Sequence, residues 1–132
     1  MMQTRRLADA SVVAAPDGSQ IRELVAVASG SMVHCSLPGG AVSMAVVHAT
    51  VDEAWYFLAG TGQVWRRHEG TESVVEVEPG IALTIECGTH FQFRNTGDDD
   101  LRFVIATMPP WPGAQEARRV RDHWPVPGSR LT

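Results

Sequence analysis

Turn-forming residues recur at short intervals through most of the chain, and this spacing is the feature that most restricts its fold. Pro38-Gly39-Gly40, Gly60-Thr61-Gly62, Pro79-Gly80 and Asn95-Thr96-Gly97-Asp98 separate short apolar segments. Glycine and proline in such clusters mark tight turns, whereas a helix of ordinary length needs a longer uninterrupted stretch. The pattern therefore predicts an all-β protein built from many short strands.

The segments between the turns have the length and residue types of strands. Eight strands are predicted, at residues 32–37, 41–48, 54–59, 63–67, 73–77, 81–85, 90–94 and 101–108. Because side chains alternate between the two faces of a strand, Gln92 and Arg94 are expected on the outer face, and Phe91 and Phe93 on the inner one. The one helical expectation is residues 114–120.

The length and composition predict one globular domain. A chain of 132 residues matches a single hydrophobic core, which usually takes roughly 100–200 residues. With 44% hydrophobic and 20% charged residues, the composition argues against disorder. We expect one domain over residues 1–132, with the barrel core at about 25–108 and a proline- and tryptophan-rich tail at 109–132. Trp111 and Trp124 of that tail are expected to lie across the outside of the barrel or across a partner chain.

Charge and composition exclude several function classes. A net charge of −4 gives no electrostatic footprint for nucleic acid, and no lysine is present to form a Schiff base. The apolar runs are far shorter than the roughly 20 residues that span a bilayer, and no apolar signal core follows the N-terminus, so a cytoplasmic protein is expected. Cys35 and Cys87 are interpreted as reduced thiols, and Arg118, Arg119 and Arg121 as a solvated face.

Two groups of residues have a distinctive spacing. The first runs from Gly40 through Val46, His48 and Glu53 to Gly60. The second consists of a glycine, an aromatic residue and an asparagine, at Gly88, Phe91 and Asn95. Together these spacings resemble the two motifs of the cupin superfamily, and the resemblance covers about residues 25–108. It implies a double-stranded antiparallel β-helix, that is, a jelly-roll barrel, and a homodimer.

The sequence departs from this family's metal-binding pattern. Metal-binding cupins usually use three histidines and one glutamate, but Val46 and Phe91 replace two of the histidines here. His90 is one residue out of register with the family position, and such a shift turns a side chain to the opposite face of a strand. A tentative, degenerate ligand set is His48, Glu53 and His90, for a divalent Zn, Fe, Mn or Ni ion. We expect well under one equivalent of tightly bound metal.

The remaining polar pair of the motif, His48 and Glu53, is the predicted catalytic pair. A carboxylate beside an imidazole stabilises the imidazolium and raises its pKa, which suits acid/base chemistry near neutral pH. The ligand pocket around this pair is predicted to be mostly apolar and aromatic. Its expected lining residues are His34, Val46, Trp55, Phe57, Phe91 and Phe93.

Three functions remain open at this point, and the sequence does not decide whether the protein is an enzyme. The first is a cupin that binds an unknown small molecule and uses His48 and Glu53 for isomerase-, epimerase- or cyclase-like acid/base chemistry. The second is a metal-dependent cupin enzyme such as a dioxygenase, with His90 or His34 completing the ligand set. The third is a ligand-sensing module without turnover.

Overall fold

A computed structural model describes residues 2–15 and 17–127 of the chain. The described residues form eleven strands and two short 3₁₀ helices, at Leu7–Asp9 and Ala114–Glu116. The strands are β1 (Ser11–Ala14), β2 (Gln20–Val27), β3 (Gly30–Leu37), β4 (Val46–His48), β5 (Asp52–Ala59), β6 (Gly62–His68), β7 (Thr71–Val77), β8 (Ala82–Ile85), β9 (His90–Asn95), β10 (Leu101–Met108) and β11 (Ala117–Arg119). The tail predicted at 109–132 is described to residue 127, and its last part lies outside the described residues.

The strands form two antiparallel sheets, and this architecture confirms the predicted all-β jelly-roll barrel. The first sheet has the order β1-β2-β3-β10-β5-β8, and the second has the order β11-β4-β9-β6-β7. Strands that are neighbours in space are often distant in sequence, as with β3 and β10. Residues from the N-terminal strands and from the segment after β10 therefore reach the space between the sheets.

Strict alternation along β5 and β10 builds the interior of the barrel. Trp55 and Phe57 of β5 and Phe103 of β10 are fully buried, and their rings pack with centroids 4.6–6.2 Å apart. The intervening Tyr56 and Leu58 are exposed on the outside of the sheet. Because aromatic residues bury large areas, this cluster supplies a major part of the hydrophobic stabilisation of the barrel.

The turn after β5 depends on a glycine. Gly60 has a φ of +81°, and a Cβ atom there would lie 2.5 Å from the carbonyl oxygen of Asp100. Both the backbone conformation and the close approach of the neighbouring loop exclude larger residues. This glycine is the last residue of the first sequence motif, so the motif includes a requirement of the fold as well as of the site.

Three local predictions were wrong. Residues 114–120 form a 3₁₀ turn followed by β11, because Ala117–Arg119 pair with Val46–His48 of β4 and so add an edge strand. Within the strand predicted at 41–48, only Val46–His48 form a regular strand, since the amide of Met44 donates to Asp17 and that of Ala45 to Asp122. The strand prediction also missed β1 and β2, which extend the first sheet at its edge.

The C-terminal segment covers the outer face of the second sheet. Trp124 packs there in a small apolar cluster with Val47 and Trp65, and is 9% exposed. Gln92 lies on this outer face, as predicted, but is fully buried, because its side chain bonds the backbone of Ser43, His123 and Trp124. Trp124 therefore lies on its own barrel. Among the described residues, no helix has the length and apolar character that a membrane crossing requires.

Candidate functional site

A cavity of about 290 Å³ lies between the two sheets, inside the barrel. Its walls are mainly apolar and come from the N-terminal strands, the barrel strands and the segment after β10. A few polar residues also line it: Asp17, Glu23, Cys35, His48, Glu53 and Thr107. A mostly apolar cavity with a small number of polar groups is the usual form of a small-molecule site.

Glu53 is a buried carboxyl group in the wall of this cavity. Its Oε1 accepts a hydrogen bond of 2.9 Å from Trp55 Nε1, and its Oε2 accepts one of 3.1 Å from Thr107 Oγ1. The strands dictate these contacts, because Trp55 is two residues along the same face and Thr107 is the cross-strand partner of Glu53. Burial raises the pKa of Glu53 to about 7, although these two hydrogen bonds lower it in part.

His48 ends β4 and lies at the cavity wall between two aromatic rings. The ring centroids of Phe91 and Trp111 lie 5.1 and 5.0 Å from that of His48, both in edge-to-face arrangements. Its Nδ1 is buried and has no hydrogen-bond partner among the described residues. Burial lowers the pKa of His48 to about 4, and the negative charge of Glu116 raises it only in part. The imidazole is therefore neutral at physiological pH.

The predicted direction of the His48 pKa was wrong. We expected Glu53 to raise it, but the hydrogen bonds of Glu53 go to Trp55 and Thr107, and none joins the two residues within the described chain. Desolvation dominates for both groups, so it favours the neutral form of each. The cavity thus contains a neutral imidazole and a carboxyl group that is close to half-protonated at pH 7.

Glu116 fixes the C-terminal segment beside His48. Its carboxylate accepts hydrogen bonds from the backbone amides of Thr50 and Val51, at 2.7 and 2.9 Å, and from the Thr50 hydroxyl at 2.6 Å. Burial raises its pKa, but these three hydrogen bonds outweigh burial and lower the pKa overall. The segment that carries Trp111 is thereby attached to the loop between β4 and β5.

A second polar group enters the cavity from the loop between β1 and β2. Asp17 accepts hydrogen bonds from the amide and the hydroxyl of Ser19, at 2.9 and 2.6 Å. The Cys35 thiol donates in turn to the Ser19 hydroxyl at 3.2 Å. Burial raises the pKa of both Asp17 and Cys35, so the thiol is protonated. This group lies close enough to Glu53 for the Asp17 charge to raise the pKa of Glu53 further.

Four of the six predicted lining residues border the cavity, and two do not. Val46, Trp55, Phe91 and Phe93 line it together with His48 and Glu53. Phe57 packs in the core below the cavity. His34 is also outside the lining: Val33 and Cys35 of β3 point into the cavity, and His34 between them belongs to the opposite face of the strand.

The residues that the structure brings together do not fit the metal site of the family. Val46 and Phe91 place apolar side chains on the cavity wall where the family pattern has histidines. His90 lies outside the cavity, where its Nδ1 accepts a hydrogen bond of 3.1 Å from Arg67. Among the described residues, no three His, Cys, Asp or Glu side chains are grouped to hold a metal ion. The tentative set of His48, Glu53 and His90, and its alternative with His34, are therefore not assembled.

The sequence analysis missed several cavity residues. Asp17 and Thr107 come from loops and strands outside the two motifs, and Trp111 comes from the tail. For Thr107 a signal did exist, because a threonine at an inward position of an otherwise apolar strand suggests a polar neighbour. For Asp17 we find no such signal, since an aspartate before glycine is typical of an ordinary turn.

Comparison with known proteins agrees with this architecture. The model of the cupin domain family matches residues 32–107, which is more than half of the chain. No curated protein sequence matches the chain significantly.

Similar solved structures share the fold at low sequence identity. The nucleoside dehydratase Pac13 has a TM-score of 0.72 at 15% identity over 92% of both chains, and a Streptomyces Pac13 variant with uridine has a TM-score of 0.72 at 16% identity over 92% of this chain and 93% of that one. A predicted oxalate decarboxylase from Thermotoga maritima has a TM-score of 0.67 at 18% identity over 81% of this chain and 99% of that one. The chain belongs to the cupin domain family.

Proposed function

We propose that this cupin binds a small, partly polar organic molecule in the barrel cavity and that Glu53 acts on it as a general acid/base. The observation that carries the proposal is the environment of Glu53. It is a buried carboxyl group on the wall of an apolar cavity, held by Trp55 and Thr107. With a pKa of about 7, both its protonated and its ionised form are populated at neutral pH.

His48 supports this role as a neutral partner. With a pKa of about 4 it carries no charge at pH 7, so it serves as a hydrogen-bonding group toward the ligand rather than as a cation. Glu53 is then the group that removes a proton from the substrate and returns it. Such a cycle consumes no proton overall, which fits isomerisation, epimerisation or the elimination of water.

The shape of the cavity limits the ligand to a small one. At about 290 Å³ it lies at the lower end of ligand pockets, which are usually roughly 300–1,000 Å³. Trp55, Phe91 and Trp111 offer ring faces and edges to a flat or cyclic molecule. The similarity to a nucleoside dehydratase and to a structure with uridine makes nucleosides the first compounds to test.

Carbon–hydrogen exchange in D₂O tests the proposal even when the product is unidentified. Uridine and a panel of neutral sugars and small carbonyl compounds are incubated with the protein, and proton NMR follows loss of each C–H signal. We expect exchange in at least one compound, and a loss of at least about 100-fold in its rate for Glu53→Gln. Exchange that is unchanged in Glu53→Gln contradicts the role of Glu53.

Binding without exchange distinguishes the alternative of a ligand-sensing module. Quenching of tryptophan fluorescence reports occupancy, because Trp55 and Trp111 line the cavity. If a compound saturates this signal in the wild type and in Glu53→Gln but no compound of the panel is turned over, the sensing function is favoured. Glu86→Gln, at an exposed position outside the cavity, is the matched control for both assays.

A homodimer is the expected assembly, as the family resemblance implies. The outer face of the first sheet carries exposed apolar side chains, at Met32, Tyr56, Leu58 and Met108, each 42–47% exposed. A second copy of the chain would cover this face. We expect a dimer by light scattering at micromolar concentration and a monomer for Tyr56→Glu. Val74→Glu, at an equally exposed position of the second sheet, is the control, and a wild-type monomer would contradict the assignment.

A further inference from the structure

A second, open cleft of about 470 Å³ lies on the outside of the barrel, between the second sheet and the segment that follows β11. Its basic side chains are three arginines, Arg67, Arg118 and Arg121, and two histidines, His90 and His123. The cavity inside the barrel shares none of them. Three arginines against two carboxylates, Glu72 and Asp122, give the cleft a positive formal charge in a chain whose net charge is −4.

The register of the second sheet places Arg118, His90 and Arg67 on the same face of the sheet. Arg118 pairs with Val47, Val47 pairs with His90, and His90 pairs with Arg67. Directly paired residues of antiparallel strands share a face and lie about 4.5–5.5 Å apart at Cβ. Arg118, Val47, His90 and Arg67 thus form one row across β11, β4, β9 and β6, with Val47 and His90 between the two arginines.

The contact between Arg67 and His90 fixes the state of the imidazole. Arg67 Nη2 lies 3.1 Å from His90 Nδ1, and since a guanidinium only donates, Nδ1 accepts. The proton of the neutral ring is then on Nε2, and no acceptor for it is found among the residues that the structure describes. Burial and the charges of Arg67 and Arg118 lower the pKa of His90, so the ring adds a donor to the cleft without a third repelling charge.

The two carboxylates that line the cleft, Glu72 and Asp122, already have hydrogen-bond donors. Glu72 accepts a hydrogen bond of 2.6 Å from Trp65 Nε1 and lies 3.7 Å from His123 Nδ1. Asp122 accepts from the Ala45 amide at 2.9 Å and pairs with Arg119 at 2.8 Å.

The contacts of these two carboxylates do not involve the arginines that line the cleft. In the part of the chain that the structure describes, none of Arg67, Arg118 and Arg121 forms an ion pair with a carboxylate. Their guanidinium groups are therefore available to donate hydrogen bonds to an anion from solution.

We propose that this cleft binds a small phosphate-bearing anion. Guanidinium groups match phosphate oxygens in paired hydrogen bonds, and the Nε2–H of His90 adds a neutral donor beside them. The three guanidinium groups and the His90 Nε2–H only donate, so these four groups suit a ligand that only accepts. The cleft is polar and open, unlike the apolar cavity of Glu53, and its occupation does not depend on chemistry in the barrel.

Calorimetric titration with pyrophosphate in about 0.1 M salt tests this site, since surface charges alone are largely screened there. We expect saturable binding at one site per chain, weakened at least tenfold by Arg118→Gln and by His90→Phe. Arg102→Gln removes the same charge from an exposed position on the first sheet, outside the cleft, and is expected to bind like the wild type. The His90 ring signals in NMR spectra should move with the same saturation.

Three results would overturn the proposal. One is the absence of saturable pyrophosphate binding up to millimolar concentration. Another is equal weakening by Arg102→Gln and Arg118→Gln, which would indicate a nonspecific charge effect. The third is equally tight binding of citrate, which would show that the cleft selects charge and not phosphate. Arg121→Gln provides a second test of the site if Arg118→Gln perturbs β11.

Discussion

Glu53 and Glu116 expose similarly little of their surface to solvent, and yet their pKa values shift in opposite directions. Their exposed fractions are 6% and 5%. Burial raises the pKa of Glu53 to about 7, whereas the pKa of Glu116 falls below its usual value. Two causes differ. Glu53 lies deep in the barrel, where desolvation is strong, and has one donor on each oxygen. Glu116 lies nearer the surface, where desolvation is weaker, and has three donors, two of them backbone amides.

This contrast distinguishes a carboxylate with a structural role, Glu116, from a carboxyl group suited to proton transfer, Glu53. Backbone amides near a carboxylate are fixed dipoles that stabilise its charge, so Glu116 stays ionised and holds two segments together. Glu53 faces the apolar cavity and lacks such support, which makes proton transfer at neutral pH accessible. The exposed surface fraction alone would not have distinguished the two residues.

The largest effect is expected from removal of the Glu116 carboxylate. Glu116→Ala leaves the Thr50 and Val51 amides without their charged acceptor, and we expect a loss of about 3–5 kcal/mol in the free energy of unfolding. Urea unfolding measures it. Glu86→Ala, at an exposed position, should change stability by less than about 0.5 kcal/mol. A loss below about 1 kcal/mol in Glu116→Ala would break the comparison, because Glu116 would then not be the structural member of the pair.

The pH dependence of stability tests the raised pKa of Glu53 and the lowered pKa of His48. The pKa of Glu53 is raised from 4.5 to about 7, so its contribution to stability is present below pH 4.5 and is lost as the pH rises through 7. The pKa of His48 is lowered from 6.5 to about 4, so its contribution is present above pH 6.5 and is lost as the pH falls through 4. Each amounts to about 3 kcal/mol.

These two contributions oppose each other between pH 4.5 and 6.5, and single variants should reveal them. From pH 4.5 to 7 we expect the stability of Glu53→Gln to rise by about 3 kcal/mol relative to the wild type, and that of His48→Gln to fall by a similar amount from pH 4 to 6.5. Unfolding midpoints at a series of pH values give the result. Parallel profiles for all three proteins would mean that neither pKa is shifted as described.

A smaller effect is expected at the ring that covers His48. Trp111 lies edge-to-face against the imidazole, so Trp111→Ala should admit water and raise the His48 pKa from about 4 toward 6.5. Titration of the ring signals by NMR measures the shift. Trp111→Phe keeps an aromatic cover and should restore most of the low value. If Trp111→Ala leaves the pKa unchanged, the desolvation of His48 comes from the barrel wall and not from the tail.

The sequence was sufficient for the parts of the molecule that local patterns determine. Glycine and proline spacing predicted the strands, and alternation placed Phe91 and Phe93 inside and Gln92 outside. It also made His48 and Glu53 the candidate pair, because the spacing from Gly40 to Gly60 resembles the first cupin motif. These features depend on neighbours in sequence, and local chemistry governs them.

The parts that could not be predicted depend on distant contacts. Asp17, Thr107 and Trp111 reach the cavity only because strands far apart in sequence are adjacent in the sheets. The pKa of His48 was predicted in the wrong direction for the same reason. A pairwise argument from the His48–Glu53 spacing omits desolvation by Phe91 and Trp111, and desolvation is the dominant cause.

Metal content is the last and smallest expected change, and it would affect Glu53 directly. A divalent ion beside Glu53 would favour the carboxylate and lower its pKa, so the contrast with Glu116 would disappear. Val46 and Phe91 occupy two of the four family ligand positions, and two remaining ligands hold a transition metal weakly. We therefore expect well under one equivalent of Zn, Fe, Mn or Ni by elemental analysis of protein purified without added metal.

Two histidine variants make the metal measurement decisive. His90 lies outside the cavity, so His90→Ala should leave the metal content unchanged within error, and His48→Ala should lower it only from an already small value. His48→Ala should also weaken ligand binding without unfolding the protein, because the imidazole lies on the cavity wall. Stoichiometric metal that both variants lose would place His90 at the cavity and would make Glu53 a ligand rather than an acid/base.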